Sequence, residues 1–381
     1  MNTRARRRLT EFSLVQQGRS SVAEAARRLG LSERQARRLW KRYQARGDAG
    51  LIHGLRGQPS NFRHAALREA ALAVCRQKYA GCNAAHASEL LAREEKLQVP
   101  RQTLWRWMKA DDLIVAPRRC RPHRRRRARR PCVGELVQMD GSTHAWFGPD
   151  HPSCVLFVMV DDASGRVFCR FYATEDTASA FDLFGGYVGR YGLPEALYVD
   201  FDSIYMVNDD PAQEKARQAG KKPPVTQFGR AMEELGVQII GAHSPQAKGR
   251  VERMNRTLQD RLLRELALAL NGRGIHDLAA ANAFLEREFL PRFNERFARI
   301  PADGLNAHRP LPRDLPLAEA LCWKETRVVG QDWCVRYAGR ILQIARCHEA
   351  WRLAGKAVEV WRRPDGTLQL RHQGRKLVFY E

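Results

Sequence analysis

Residues 243–262 read HSPQAKGRVERMNRTLQDRL, and the rest of the chain is best understood from them. The first half, with Ser244-Pro245 and Gly249, has the residues of an exposed turn. The second half spaces Val251, Met254, Leu258, Leu262 and Leu263 at helical intervals, so the turn feeds an amphipathic helix. One acid, Glu252, stands near the start of that helix. Lys248 lies four residues before it and Arg256 four after, so all three project from one face with Asn255 beside them. Taken alone, this is the usual pattern of an intrahelical salt-bridge cluster. Its other meaning depends on where further acids fall.

Upstream, three β-rich segments occur at residues 135–140 (ELVQMD), 154–161 (CVLFVMVD) and 167–172 (VFCRFY), with a hairpin turn at 162–165 between the last two. A helix over 177–191, a strand at 196–200 (ALYVD), a helix over 228–235 and a strand at 237–240 (VQII) lead to the Glu252 helix. This alternation predicts an α/β domain with a mixed five-stranded sheet flanked by helices. Asp140 ends the first strand, Asp200 the fourth, and Glu252 begins the helix after the fifth. If strands one and four are neighbours, two carboxylates lie side by side and the helix can add the third. Three crowded carboxylates in a basic protein suit a hard cation. Oxygen ligands select Mg²⁺ or Mn²⁺, and two ions about 3.5–4 Å apart serve in-line phosphoryl displacement. No Cys or His cluster accompanies the acids, which counts against zinc. The alternatives stay open: Asp140 and Asp200 as strand-end caps, Asp202 in place of Asp200, and Asp161 and Asp162 as turn residues.

Composition narrows the partner. Across 381 residues, Lys and Arg number 65 against 42 Asp and Glu, a net charge of +23 that fits a polyanion, first of all nucleic acid. The longest apolar run, residues 154–160, is too short to span a bilayer, and the basic N-terminus has no apolar stretch behind it. A soluble, non-exported protein of the cytoplasm is expected. The nine cysteines are odd in number, scattered and never in a C-x-x-C pair, which argues for a reducing compartment without disulfides or structural zinc.

Residues 9–46 read as two helices around a short turn. Ser21 with Glu24 forms a capping-box pattern, Gly30 breaks the first helix and Ser32 caps the second. With Leu39, Trp40 and Tyr43 inward, Arg34, Arg37, Arg38 and Lys41 are left for the major groove and its phosphates; a helical bundle with a solvated basic face is the plainer reading. After a linker at 54–60, a second helical unit places Leu104, Trp105 and Trp107 inward and Thr103, Arg106 and Lys109 toward DNA, or serves structure alone. Residues 118–130, RRCRPHRRRRARR, hold nine arginines and no acid. Such a block repels itself and suits an extended linker on a phosphate backbone, with Arg124, Arg125, Arg126 and Arg127 at its centre. Residues 301–316 read as a connector. Beyond residue 327, VEVWRR, a Pro-Asp-Gly turn, TLQLR and KLVFY predict a small all-β barrel or sandwich, basic outside through Arg362, Arg363, Arg371, Arg375 and Lys376.

Three stretches carry a resemblance to a known family. QMDGSTH at 138–144, YVDFDSIY at 198–205 and SPQAKGRVER at 244–253 resemble the signature regions of integrase-core DDE transposases, in particular those of bacterial ISNCY-type insertion sequences. The second departs from the commoner pattern at Phe201-Asp202. The resemblance implies N-terminal helix-turn-helix DNA binding (residues 1–57), a second helical unit (58–116), an arginine-rich linker (117–132), an RNase H-like catalytic core (133–300), a connector (301–325) and a C-terminal β-barrel (326–381). It further implies two Mg²⁺ or Mn²⁺ ions, with Asp140 bridging both, Asp200 on one and Glu252 on the other, and Lys248, Arg250, Arg253 and Arg256 near the phosphates. The activity implied is DNA cleavage and strand transfer by a nucleoid-associated bacterial enzyme. It would act as a dimer or larger assembly on double-stranded terminal inverted repeats and target DNA. A regulator with a silent RNase H-like domain, or a nuclease that cuts without joining, are the rival readings.

Overall fold

A computed structural model of the chain describes residues 3–52, 65–114, 127–148, 151–207, 218, 224–242, 249–273 and 277–381. Two compact units partition it: Met1–Lys78 with Ser88–Asp111, and Tyr79–Ala87 with Asp112–Glu381. Among the described residues no helix is long and apolar enough to cross a membrane.

The first unit is helical. It comprises α1 (Thr3–Gln16), α2 (Val22–Leu29), α3 (Glu33–Arg46), α4 (Ala65–Gln77), α5 (Ala84–Glu94) and α6 (Arg101–Ala110), with α5 starting just inside the second unit. The expected capping box forms: the Glu24 backbone N–H donates to Ser21 Oγ and the Ser21 N–H to the Glu24 carboxylate. Gly30 ends α2 at φ 64°, a left-handed conformation that glycine adopts without penalty, and Ser32 caps α3. Phe12, Ala25, Ala26, Ala36, Leu39 and Leu51 make the core, with Trp40 and Tyr43 against Phe12. On α6 the buried residues are Leu104 and Met108, whereas Trp105 and Trp107, expected inside, are half-exposed. The helical spacing of positions 104 and 108 sets the inner face, and the indoles flank it.

The second unit contains the mixed sheet. Strands β1 (Val137–His144), β2 (Cys154–Asp161), β3 (Val167–Tyr172), β4 (Ala196–Val199) and β5 (Gln238–Gly241) lie in the order β3-β2-β1-β4-β5, antiparallel through the first three and parallel from β1 to β5. This is the arrangement of an RNase H-like core. β2 is buried throughout, and apolar up to its last residue Asp161, because helices cover both its faces. On one side α7 (Thr177–Tyr191) and α8 (Gln227–Glu234) pack on Val155, Phe157 and Met159. On the other lie α9 (Val251–Arg273), α10 (Leu278–Phe284) and α11 (Leu290–Phe297), the last two joined through a π-turn at Leu285–Phe289, over Leu156, Val158 and Val160.

After a short α12 (Leu317–Ala320) come β6 (Trp323–Val328), β7 (Cys334–Tyr337), β8 (Arg340–Ile344), β9 (Ala357–Arg362), β10 (Leu368–His372), β11 (Arg375–Leu377) and β12 (Phe379–Tyr380). The first three of these were not anticipated, and β6 starts before the expected boundary. No closed barrel forms. A four-stranded sheet, β11-β10-β9-β6, and a three-stranded one, β12-β8-β7, enclose Val335, Leu342, Val358, Val360 and Leu370. β11 and β12 are too short to knit the two sheets edge to edge. Nor is the basic face simply solvated: Arg371 lies 2.7 Å from Glu319 and stacks on Trp361, and Arg362 stacks on Trp323.

Candidate active site

β1 and β4 pair in parallel with Val137 opposite Leu197 and Gln138 opposite Tyr198. Counted two residues onward from that register, Asp140 comes level with Asp200, which follows the last residue of β4. Asp140 does not end its strand as expected. β1 continues to His144 because all eight of its residues pair with β2.

Alternation along β1 sends Val137 and Met139 into the core beneath α7 and α8, and Gln138, Asp140 and Ser142 to the opposite face. There they meet α9. The Val251 N–H donates to Gln138 Oε1 at 3.1 Å, Asn255 Nδ2 to Asp140 Oδ2 at 2.9 Å, and Gln259 Nε2 to Ser142 Oγ at 3.1 Å. Four helical residues rise about 6 Å and two strand residues about 6.6 Å, so helix and strand keep step through three successive contacts. Buried Val251, Leu258, Leu262 and Leu266 hold α9 down beside this polar seam. Glu252 lies three residues before Asn255 on the same flank of the helix.

Tyr205 lines the acidic neighbourhood. It is 3% exposed, its hydroxyl has no hydrogen-bond partner, and burial, with Glu175, Asp200, Asp140 and Asp202 adding to it, pushes its pKa well above the usual tyrosine value. Asn255 Oδ1 is likewise buried without a partner. Asp202 instead closes a turn by accepting the Ile204 N–H at 2.9 Å. Glu175 lies across Gly141, where any β-carbon would collide with its carboxylate. Among the described residues no three His, Cys, Asp or Glu side chains are gathered closely enough to hold an ion.

The adjoining turn differs from its expected reading. Asp161 is the turn residue, accepting from the Ser164 N–H and hydroxyl and from the Gly134 N–H. Asp162 is 0% exposed and accepts from Gln138 Nε2 at 2.8 Å, the Arg130 N–H at 2.9 Å, and the guanidiniums of Arg127 and Arg250. Nothing in its sequence context other than its place beside a hairpin hinted at this. Two residues expected at phosphates, Arg127 and Arg250, thus sit on one buried carboxylate. Arg253 and Arg256 are exposed on α9. Arg34, Arg37, Arg38 and Lys41 share a shallow concavity with Glu33 on the outer face of α3, where Arg37 pairs with Glu33 at 3.4 Å. Arg106 is exposed on α6, and Lys109 lies over the Trp105 ring. Arg124, Arg125, Arg126 and Lys248 lie outside the described residues.

One chain that carries both a helix-turn-helix unit and a five-stranded RNase H-like core with Asp140 and Asp200 on its neighbouring strands β1 and β4 has the parts of a transposase, and comparison with known proteins gives the family. A helix-turn-helix domain model matches residues 7–60. The chain is 38% identical over its whole length to a putative transposase of Sinorhizobium fredii, y4bF, covering 81% of that protein. It is 29% identical to the transposase for insertion sequence IS1202 of Streptococcus pneumoniae, over 86% of this chain and 75% of that one. The chain belongs to the transposases of insertion sequences. Among solved structures, a simian T-cell lymphotropic virus intasome bound to a PP2A regulatory subunit aligns over 72% of this chain and 90% of that one, at 14% identity and a TM-score of 0.35. The HTLV-2 integrase catalytic core in complex with magnesium aligns over 40% and 84% respectively, at 17% identity and a TM-score of 0.28.

Proposed function

We propose that this transposase binds the terminal inverted repeats of its element and carries out metal-dependent cleavage and strand transfer, with Asp140, Asp200 and Glu252 as its catalytic acids. The observation that carries the reading is the shared register: β1 against β4 aligns Asp140 with Asp200, while the contacts between α9 and β1 keep Glu252 on the same face. The donor set fits a hard cation, since it is all oxygen and is bordered by the unpartnered Tyr205 hydroxyl and Asn255 Oδ1. Asp140, Asp200 and Glu252 would hold Mg²⁺ or Mn²⁺, two ions per site, supplying charge to activate the attacking oxygen and stabilise the leaving one.

The chain's own groups do the rest. Asn255 donates to Asp140 Oδ2 and restrains that carboxylate. Lys248, Arg253 and Arg256 steady the phosphates. Water attacks the phosphodiester at the element's end, leaving a 3′-hydroxyl and a 5′-phosphate; the 3′-hydroxyl then attacks a target phosphodiester, expelling a target 3′-oxygen. Arg34, Arg37, Arg38 and Lys41, with Arg106, Lys109 and Arg124 to Arg126, supply affinity for duplex DNA, and synapsis of two ends calls for at least a dimer.

The test uses a pre-nicked element end and a supercoiled target plasmid in Mg²⁺. Asp140→Asn, Asp200→Asn and Glu252→Gln are each expected to abolish joining while end binding survives, and Asp202→Asn to keep most activity. Joining that persists in the Asp140 or Glu252 variant refutes the site, and activity lost in Asp202→Asn but kept in Asp200→Asn moves the second ligand to Asp202.

A further inference from the structure

We propose that Asp162 is a positioning residue that couples the end of the arginine-rich segment to the catalytic helix, so that the seating of residues 127–130 sets the pose of Glu252. The inference rests on the proposed role of Glu252. A fully buried carboxylate is costly unless several donors compensate it, and Asp162 has four, from three parts of the chain. The hairpin does not need it, because Asp161 already closes that turn.

Two of the four contacts lead to the start of α9. Arg250 immediately precedes the helix and donates both to Asp162 and, at 2.7 Å, to the Arg127 carbonyl. Gln138 donates to Asp162 and accepts the N–H of Val251, the first helical residue and one of the helix-end donors that lack an intrahelical partner. Glu252 is the next residue. On the other side, Arg127 and the Arg130 N–H bind the same carboxylate, and Arg129 donates to the carbonyls of Asp162 at 2.8 Å and Ala163 at 3.1 Å. Burial, then the positive charges of Arg250 and Arg299, lower the pKa of Arg129, with Asp162 and Asp161 opposing them, so several guanidiniums crowd this corner. A displacement of residues 127–130 therefore reaches Glu252 through one side chain, with Arg127 and Arg250 acting on protein where the sequence suggests phosphate.

The experiment compares Arg127→Ala, Arg127→Lys and Asp162→Asn in the full chain by three readouts: amide exchange of the peptide spanning residues 249–256, kcat and KM for strand transfer, and the salt dependence of end binding. Arg127 is exposed, so its alanine variant keeps the fold even if the Asp162 variant does not. The expectation for Arg127→Ala is faster exchange at the start of α9 and a kcat lower by about tenfold. KM and the salt slope stay unchanged, and lysine restores part of the loss. A salt slope reduced by about one counterion, with exchange and kcat unchanged, makes Arg127 a phosphate contact and overturns the proposal. The exchange readout is independent of activity: an active Glu252→Gln enzyme would defeat the proposed catalytic role, while faster exchange in Arg127→Ala would still establish the coupling.

Discussion

Replacing Asn294 with alanine should unlatch the outer edge of the catalytic sheet, by an amount the structure lets one work out. β3 is an edge strand, and two asparagines of the covering helices take the place of a sixth strand. Asn294 Oδ1 accepts the Val167 N–H at 2.7 Å and its Nδ2 donates to the Val167 carbonyl at 2.8 Å. Asn282 does the same for Phe171, at 2.7 and 3.0 Å. Val167 and Phe171 are buried, so no solvent replaces a lost partner. An orphaned buried donor or acceptor costs about 1–3 kcal/mol, and two of them with some relaxation give about 2–4 kcal/mol for Asn294→Ala. Asn294→Asp is the sharper variant. It keeps the acceptor for the Val167 N–H but turns a second oxygen toward the Val167 carbonyl, which favours the protonated acid. The folded-state pKa of the new carboxyl is then raised above its unfolded value of about 3.9. Below that value the acid donates as the amide does and the variant approaches wild type; as pH rises through the folded pKa, stability is lost. Native-state amide exchange of β2 and β3, compared with wild type between pH 4 and 7, reads this sheet alone. Equal losses for Ala and Asp at every pH, or a loss under about 0.5 kcal/mol for Ala, would refute the latch.

Two further substitutions test local claims. Gly141→Ala should displace the Glu175 carboxylate without breaking the sheet, because the obstacle is the far end of a flexible, exposed side chain. The expected stability loss is under about 1 kcal/mol, with strand transfer reduced and partly recovered in Gly141→Ala/Glu175→Ala; no recovery would mean that Gly141 is required for another reason. Ser21→Ala removes the capping box of α2 and should destabilise the helix-turn-helix by about 1 kcal/mol, seen as faster exchange in α2 alone and weaker end binding; unchanged α2 protection would refute the cap's contribution.

Local periodicity and capping chemistry act over a few residues, and what they govern was legible in the chain. The helix at Thr177–Tyr191, the strands at Cys154–Asp161 and Val167–Tyr172, the Ser21–Glu24 cap and the Gly30 break all stand where the sequence predicts them. β6, β7 and β8 were missed because their residues alternate weakly and find partners only across the two C-terminal sheets. Asp140, Asp200 and Glu252 were singled out as residues, but the parallel pairing of β1 with β4 that brings the first two to one end of the sheet is a contact no local pattern encodes. Asp162 is the clearest contrast. Its neighbours in sequence make it an ordinary hairpin acid, whereas Arg127 and Arg250, 35 and 88 residues distant, make it a buried anchor. Sequence alone determined which segments are helix or strand and which residues bear charge. Only the tertiary structure decided which charges meet, because burial is a property of the assembled core, and burial forces a carboxylate to find its cations wherever in the chain they lie.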